Sequence, residues 1–188
     1  MMIEVITGPM YSGKSDELIR RLTRAHIGKK KVLAVKPEID NRYSDFEIVS
    51  HAGAKIAAQP ISKGDICLLE RISNYFDVIG IDEAQFCSDE IVFQAQAMSS
   101  NGKLVIIAGL DMTCFLTPFG PMGSLLAVAD RVQKLTAVCH RCGEEASLTQ
   151  RVIDGKVAHF DSDKEILVGG MESYEARCHD CFERPLSA

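Results

Sequence analysis

Two patterns in the 188-residue chain could do chemistry. The first is Gly8-Pro9-Met10-Tyr11-Ser12-Gly13-Lys14-Ser15, which fits G-x-x-x-x-G-K-[ST]. The glycines let the backbone curl until successive N–H groups point at one phosphate. A helix opening at Lys14 adds its partial positive end, Lys14 can reach the β- and γ-phosphates, and the Ser15 hydroxyl is a ligand for Mg²⁺. At ordinary residue frequencies a chance match in this length is a roughly 1% event or rarer. A strand-like run before it and a helical run after it make chance rarer still. Asp82-Glu83 follows the apolar run Val78–Ile81. An acid ending a buried strand serves Mg²⁺ and its waters in such proteins, and ligands of open α/β sheets collect at strand carboxyl ends. Glu83, one residue further, can face the reacting γ-phosphate.

The second pattern is a pair of Cys-x-x-Cys turns, Cys139-His140-Arg141-Cys142 and Cys178-His179-Asp180-Cys181. Four soft ligands suit tetrahedral Zn²⁺ and fill its shell, so the expected zinc is structural, with His140 and His179 as spectators. Redox use is the weaker alternative, because redox pairs usually open a helix. Cys67, Cys87 and Cys114 lie on or beside apolar segments and read as packing residues.

These groups need elements to hold them. Ile3–Thr7, Lys31–Lys36, Asp77–Asp82 and Leu104–Ala108 read as strands, with Pro37 stopping the second. Leu18, Leu22 and Ala25 mark a helix from Lys14 to His26, ended by Gly28. Ile66, Leu69, Ile72 and Phe76 share a second helical stripe. Ile91, Val92, Ala95 and Met98 mark a third, closed by Asn101-Gly102, and Leu125, Leu126 and Ala129 a short fourth. Two-sided apolar strands alternating with amphipathic helices predict an α/β fold: a mainly parallel sheet with helices on both faces. Beyond Val138 no helix is expected, and Asp154-Gly155 signals a hairpin. The expected units are a nucleotide-binding domain over 1–138 and a small zinc-binding unit over 139–188.

Composition bounds the partners. With 46% hydrophobic and 25% charged residues the chain is globular, and its net charge of −5 speaks against a large nucleic-acid footprint. Residues 139–188 hold six Lys/Arg against ten Asp/Glu, the wrong sign for a phosphate-gripping ribbon. A metal-stapled segment covering a small molecule fits better. No apolar run approaches the ~20 residues that cross a bilayer, and Met1-Met2-Ile3-Glu4-Val5 lacks a basic leader. Unpaired-looking thiols then point to a reducing, cytoplasmic setting.

In order along the chain stand GPMYSGKS (8–15), KPEIDNRY (36–43), SHAG (50–53), IDEAQF (81–86), GLD (109–111), PF (118–119), TAVCHRCG (136–143) and VGGMESYEARCHDC (168–181). Together they resemble the zinc-containing thymidine kinases, the type II deoxynucleoside kinases, over essentially the whole chain. The resemblance implies a RecA-like P-loop core with a zinc-ribbon-like unit and a lasso loop. It implies transfer of the γ-phosphate of ATP, with Mg²⁺, to the 5′-hydroxyl of thymidine in nucleotide salvage, deoxyuridine usually also being accepted. It assigns Glu83 as general base, places Asp82 and Gln85 in the nucleotide-binding stretch, and makes Asp40 and Arg42 a polar pair near the phosphates. The lasso, which reads the base largely through backbone groups, maps to Glu165–Gly169 with Leu167, Val168, Gly169 and Gly170, and to Tyr174. From residues alone Tyr174 could equally be a packing aromatic. Where many members carry an aromatic in the loop after Asp111, this chain has Cys114 followed by Phe115, leaving open which of the two meets the nucleoside. A homotetramer, inhibited by thymidine triphosphate in the substrate site, is also implied. The alternative from another class is a P-loop ATPase with a zinc ribbon, an energy-coupling or nucleic-acid-binding module.

Overall fold

The computed structural model describes residues 2–40, 44–153, 155–158 and 173–184; within α2 the side chains of Ile66 and Cys67 lie outside the described set. The elements run β1 (Met2–Thr7), α1 (Lys14–Ile27), β2 (Val32–Pro37), β3 (Glu47–Val49), β4 (Lys55–Ala57), β5 (Gln59–Ile61), α2 (Ile66–Ser73), β6 (Val78–Ile81), α3 (Glu90–Ser100), β7 (Leu104–Gly109), α4 (Met122–Val128), β8 (Arg131–Lys134), β9 (Ala137–Val138), β10 (Glu145–Ala146), β11 (Leu148–Ile153), β12 (Lys156–Val157) and β13 (Tyr174–Arg177).

Six strands form the central sheet in the order β5-β2-β6-β7-β1-β8, and every pairing in it is parallel. Alternation along the strands sends successive side chains to opposite faces. Ala34, Val78, Ile106 and Ala108 meet Leu18, Ile19 and Leu22 of α1 on one face. Leu33, Val35, Ile79, Ile81, Val105 and Ile107 meet Leu69, Ile91, Ala95, Met98 and Met122 of α2, α3 and α4 on the other. Each fully buried Leu or Ile contributes about 1.5–3 kcal/mol relative to exposure, so this double burial is what fixes the strand register.

Two boundaries differ from the sequence reading. Pro37 belongs to β2 rather than ending the strand before it, since it needs no N–H at the last ladder position and sits in register with Ile61. Helix α2 stops at Ser73, so Phe76 packs against the core from the following turn. The β3–β4 hairpin and β5 were not foreseen. They are three residues each, every one opening on a polar residue, with Ile48 of β3 and Ile61 of β5 buried.

The chain beyond β8 builds small antiparallel ladders: β9 with β10, and β11 with both β12 and β13. Asp154, of the expected hairpin turn, lies outside the described residues. The buried core here is Ala137, Cys139, Ala146 and Ala176, with Tyr11, Cys178 and Cys181 packed against it. Around the cysteines only three alanines are buried with Cys139, while Leu148, Val152 and Ala158 are buried along the β11–β12 ladder, so the apolar surface here is small and units of this size rely on a staple.

Candidate active site

The carboxyl ends of β1, β2, β6 and β7 open onto one cavity, lined among others by Gly13, Lys14, Ser15, Lys36, Asp40, Asp82, Glu83, Gln85 and Leu110. Between β1 and α1 the chain turns back on itself. Gly8 has φ 144°, and a Cβ there would run into the carbonyl oxygen of Leu135; Gly13 has φ 79°. Both positions therefore select glycine. Tyr11 also takes a positive φ, 66°, which costs a non-glycine residue some strain. The Lys14 ammonium is held inside the loop by the Pro9 carbonyl (2.7 Å), and the Ser12 hydroxyl donates to that same carbonyl (2.8 Å).

β6 is followed by Asp82, which is buried, and Glu83, which takes the left-handed conformation at φ 49°. That conformation turns the chain sharply, so the two acids do not continue as a strand. The Ser15 hydroxyl donates to Asp82, as does the Glu83 amide (3.0 Å). Burial above all, then the charges of Glu83 and Asp40, push the Asp82 carboxyl up to about 7 in the protein alone, against those two hydrogen bonds. Asp82 and the Ser15 hydroxyl are hard oxygen donors of the kind a divalent cation takes, and the neighbouring charges of Glu83 and Asp40 are ones such a cation would relieve.

Gln85 is fixed unambiguously. The Leu110 N–H can only donate, so it takes Gln85 Oε1 (3.0 Å), and the Gln85 amide NH₂ is left to donate to the Glu83 carboxylate. Gln85 thereby ties Glu83 to the chain leaving β7, beyond which Met112, Thr113, Cys114 and Phe119 also line the cavity. Phe86 and Phe119 meet edge to face, with centroids 5.5 Å apart. Cys114 is buried and lines this wall, whereas half-buried Phe115 is not among the lining residues. Burial raises the Cys114 thiol, and that of Cys87 to about 12, which keeps both protonated. Tyr174 lines the cavity as well. Arg42, Leu167, Val168, Gly169, Gly170 and the Glu165–Gly169 lasso lie outside the described residues.

Several lining residues carried no assignment from the sequence, among them Lys36, His51, Phe86, Phe119 and Thr149. Phe119 sat in a quoted motif but carried no assignment. Thr149 is brought in only by the docking of the C-terminal ladder, where its hydroxyl accepts from the Met10 N–H (3.0 Å). No local pattern announces such a contact.

The sulfurs of Cys139, Cys142, Cys178 and Cys181 lie within 4.8 Å of one another, with Cys142 and Cys178 3.6 Å apart. A Zn–S bond of about 2.3 Å in a tetrahedron separates sulfurs by roughly 3.8 Å, so the set fits zinc. Burial raises the Cys139 thiol, yet amide donors at Cys178, Arg141 and Cys142 outweigh it and bring it down to about 6. The ring of His140, within the first turn, packs on Tyr11 with centroids 5.0 Å apart, and neither it nor His179 belongs to the cluster.

No helix among the described residues is long and apolar enough to cross a membrane. The family whose description is thymidine kinase matches residues 1–182, and the chain belongs to that family. With its phosphate loop, strand-end acids and four-cysteine cluster, it is a phosphotransferase of the nucleoside kinase type.

Proposed function

We propose that the protein transfers the γ-phosphate of ATP to the 5′-hydroxyl of thymidine, accepts deoxyuridine as well, and serves nucleotide salvage in the cytoplasm. The observation that carries this reading is the juxtaposition of Glu83 with both the phosphate loop and the Gln85–Phe119 wall. One carboxylate borders the space for a polyphosphate and the space for an acceptor.

In this reading the amides of Gly8–Ser15, with Lys14, hold the β- and γ-phosphates, and Asp40 and Arg42 flank them. Ser15 and Asp82 would hold Mg²⁺, which supplies charge neutralisation to the polyphosphate. Glu83, oriented by the Gln85 amide, takes the proton from the 5′-hydroxyl as the oxygen attacks phosphorus. Phe86, Cys114 and Phe119 exclude water from the nucleoside, and Tyr174 with the segment through Leu167, Val168, Gly169 and Gly170 closes over the base. Cys139, Cys142, Cys178 and Cys181 hold a structural zinc, whose part is to fix that closing unit. The units are 1–138 and 139–188. A homotetramer, and thymidine triphosphate bound across the same cavity as inhibitor, complete the reading.

Incubation with Mg-ATP and separate nucleosides tests it. Thymidine monophosphate should form, and deoxycytidine monophosphate should not, because the exocyclic groups at the read edge differ. Deoxycytidine phosphorylated as readily as thymidine would contradict the assignment.

A further inference from the structure

Lys36 is a charged residue that the sequence pattern gave no role. Its side chain is 3% exposed, yet the residue lines the cavity. Burying an ammonium costs several kcal/mol unless partners replace its water, so a lysine kept there needs a reason. Strand register supplies the setting. Val35 pairs with Ile81, and the Asp82 N–H donates to the Val35 carbonyl (3.0 Å), so Lys36 stands beside Asp82 one step further along both strands. Ala34 and Val78 of these strands face α1, and two-residue alternation sends Lys36 and Asp82 to that same face. There α1 begins with Lys14 and Ser15. The Lys36 ammonium donates to the Ser44 carbonyl and lies 4.0 Å from the Asp40 carboxylate. Among the described residues the cavity is lined by Asp16, Asp40, Glu47, Asp82 and Glu83, and by no Lys or Arg other than Lys14 and Lys36.

We propose that Lys36 is a positioning residue for phosphoryl transfer: its ammonium holds the Asp40 carboxylate and the Ser44 carbonyl in place and offsets the negative charge that Asp40, Asp82 and Glu83 bring to the nucleotide's phosphates. The inference rests on the kinase reading of the same cavity. It gives the second cation a duty different from that of Lys14, which sits within the phosphate loop. Lys36 acts from the neighbouring strand, through the acids.

The test compares Lys36→Met and Lys36→Ala with the unsubstituted protein. Binding of Mg-ATP, read by calorimetry with no nucleoside present, should weaken about tenfold in Lys36→Met, and kcat should fall by roughly 10²-fold, with KM for thymidine changed far less. In Lys36→Ala, added propylamine should restore part of kcat while propanol of the same size does not; a side chain that merely filled space would respond to both alike. Unchanged ATP affinity and kcat in Lys36→Met, or equal responses to amine and alcohol, would overturn the proposal. Because ATP binding is read without an acceptor, that arm judges Lys36 alone. Tight ATP binding with no thymidine phosphorylated by the unsubstituted protein would tell against the acceptor instead.

Discussion

The Tyr11 hydroxyl donates to the Tyr174 carbonyl at 3.0 Å, joining the tip of the phosphate loop to the last strand of the C-terminal ladder. One turn of chain thus touches both the nucleotide cradle and the cysteine-bearing unit. Tyr11 also packs against His140, which lies within the first cysteine turn, and Met10 donates its N–H to Thr149. The phosphate loop therefore leans on a unit whose apolar core around the cysteines is three alanines with Cys139.

Metal removal should consequently be felt at the nucleotide. Chelating zinc, or replacing Cys178 by Ser, is expected to loosen the ladder around β13 and to weaken ATP binding, although no cysteine of the cluster lines the cavity. Metal content by atomic absorption should read one zinc per chain before chelation. ATP affinity unchanged after complete metal loss would show that the two sites are independent.

Tyr11→Phe isolates the same link more gently. It keeps the ring contacts with His51 and His140 and deletes one hydrogen bond, for a cost of about 1 kcal/mol. A lower thermal midpoint with modestly raised KM for ATP is expected, and calorimetry with steady-state kinetics reads both.

Gly8→Ala should do far more harm. The added methyl meets the Leu135 carbonyl at a φ that L-residues avoid, so the loop or the chain just after β8 must move. Loss of ATP binding, measured by equilibrium dialysis, is the expected outcome, with a destabilisation of about 2 kcal/mol or more.

A pH effect on stability is expected from α1. Hydrogen bonds and charge from Arg20, then from Arg21, overcome burial and hold the Glu17 carboxyl down to about 2 from its usual 4.5. A carboxylate whose folded value is depressed stabilises the fold above the unfolded value and loses that contribution as pH falls through the folded one. The contribution should therefore be whole at pH 6 and fade between about 5 and 2. Since the arginine partners are partly solvated, it is on the order of 1 kcal/mol. Glu17→Gln should lower the urea midpoint at pH 7 and leave it unchanged near pH 2, where the unsubstituted protein has lost the same advantage.

Much of this was legible in the sequence because the informative features are local. The phosphate loop must follow a strand and open a helix, and β1 and α1 do so around Gly8–Ser15. The two Cys-x-x-Cys turns carry their own metal geometry, and the four sulfurs converge as their spacing implied. The parallel sheet followed from strands apolar on both faces. The missed parts depend on contacts between distant segments. Lys36 looked like an ordinary lysine at the end of a strand until β6 was laid beside β2. Which of Cys114 and Phe115 lines the cavity depends on the turn at Thr113–Thr117, where Leu116 takes a positive φ and the Thr113 amide bonds the Thr117 carbonyl, with Cys114 on the cavity wall. The β3–β4 hairpin was invisible because strands of only three residues carry almost no periodic signal.

The role of Glu83 bears the most weight, and one comparison reaches it directly: rapid-quench phosphoryl transfer from ATP to thymidine by the unsubstituted protein and by Glu83→Gln, with ATP affinity measured on both. The substitution keeps the shape and the Gln85 contact while removing the base, so transfer should slow by roughly 10²–10⁴-fold with ATP affinity retained. Transfer by Glu83→Gln at the unsubstituted rate would contradict the mechanism and move the proton acceptor elsewhere.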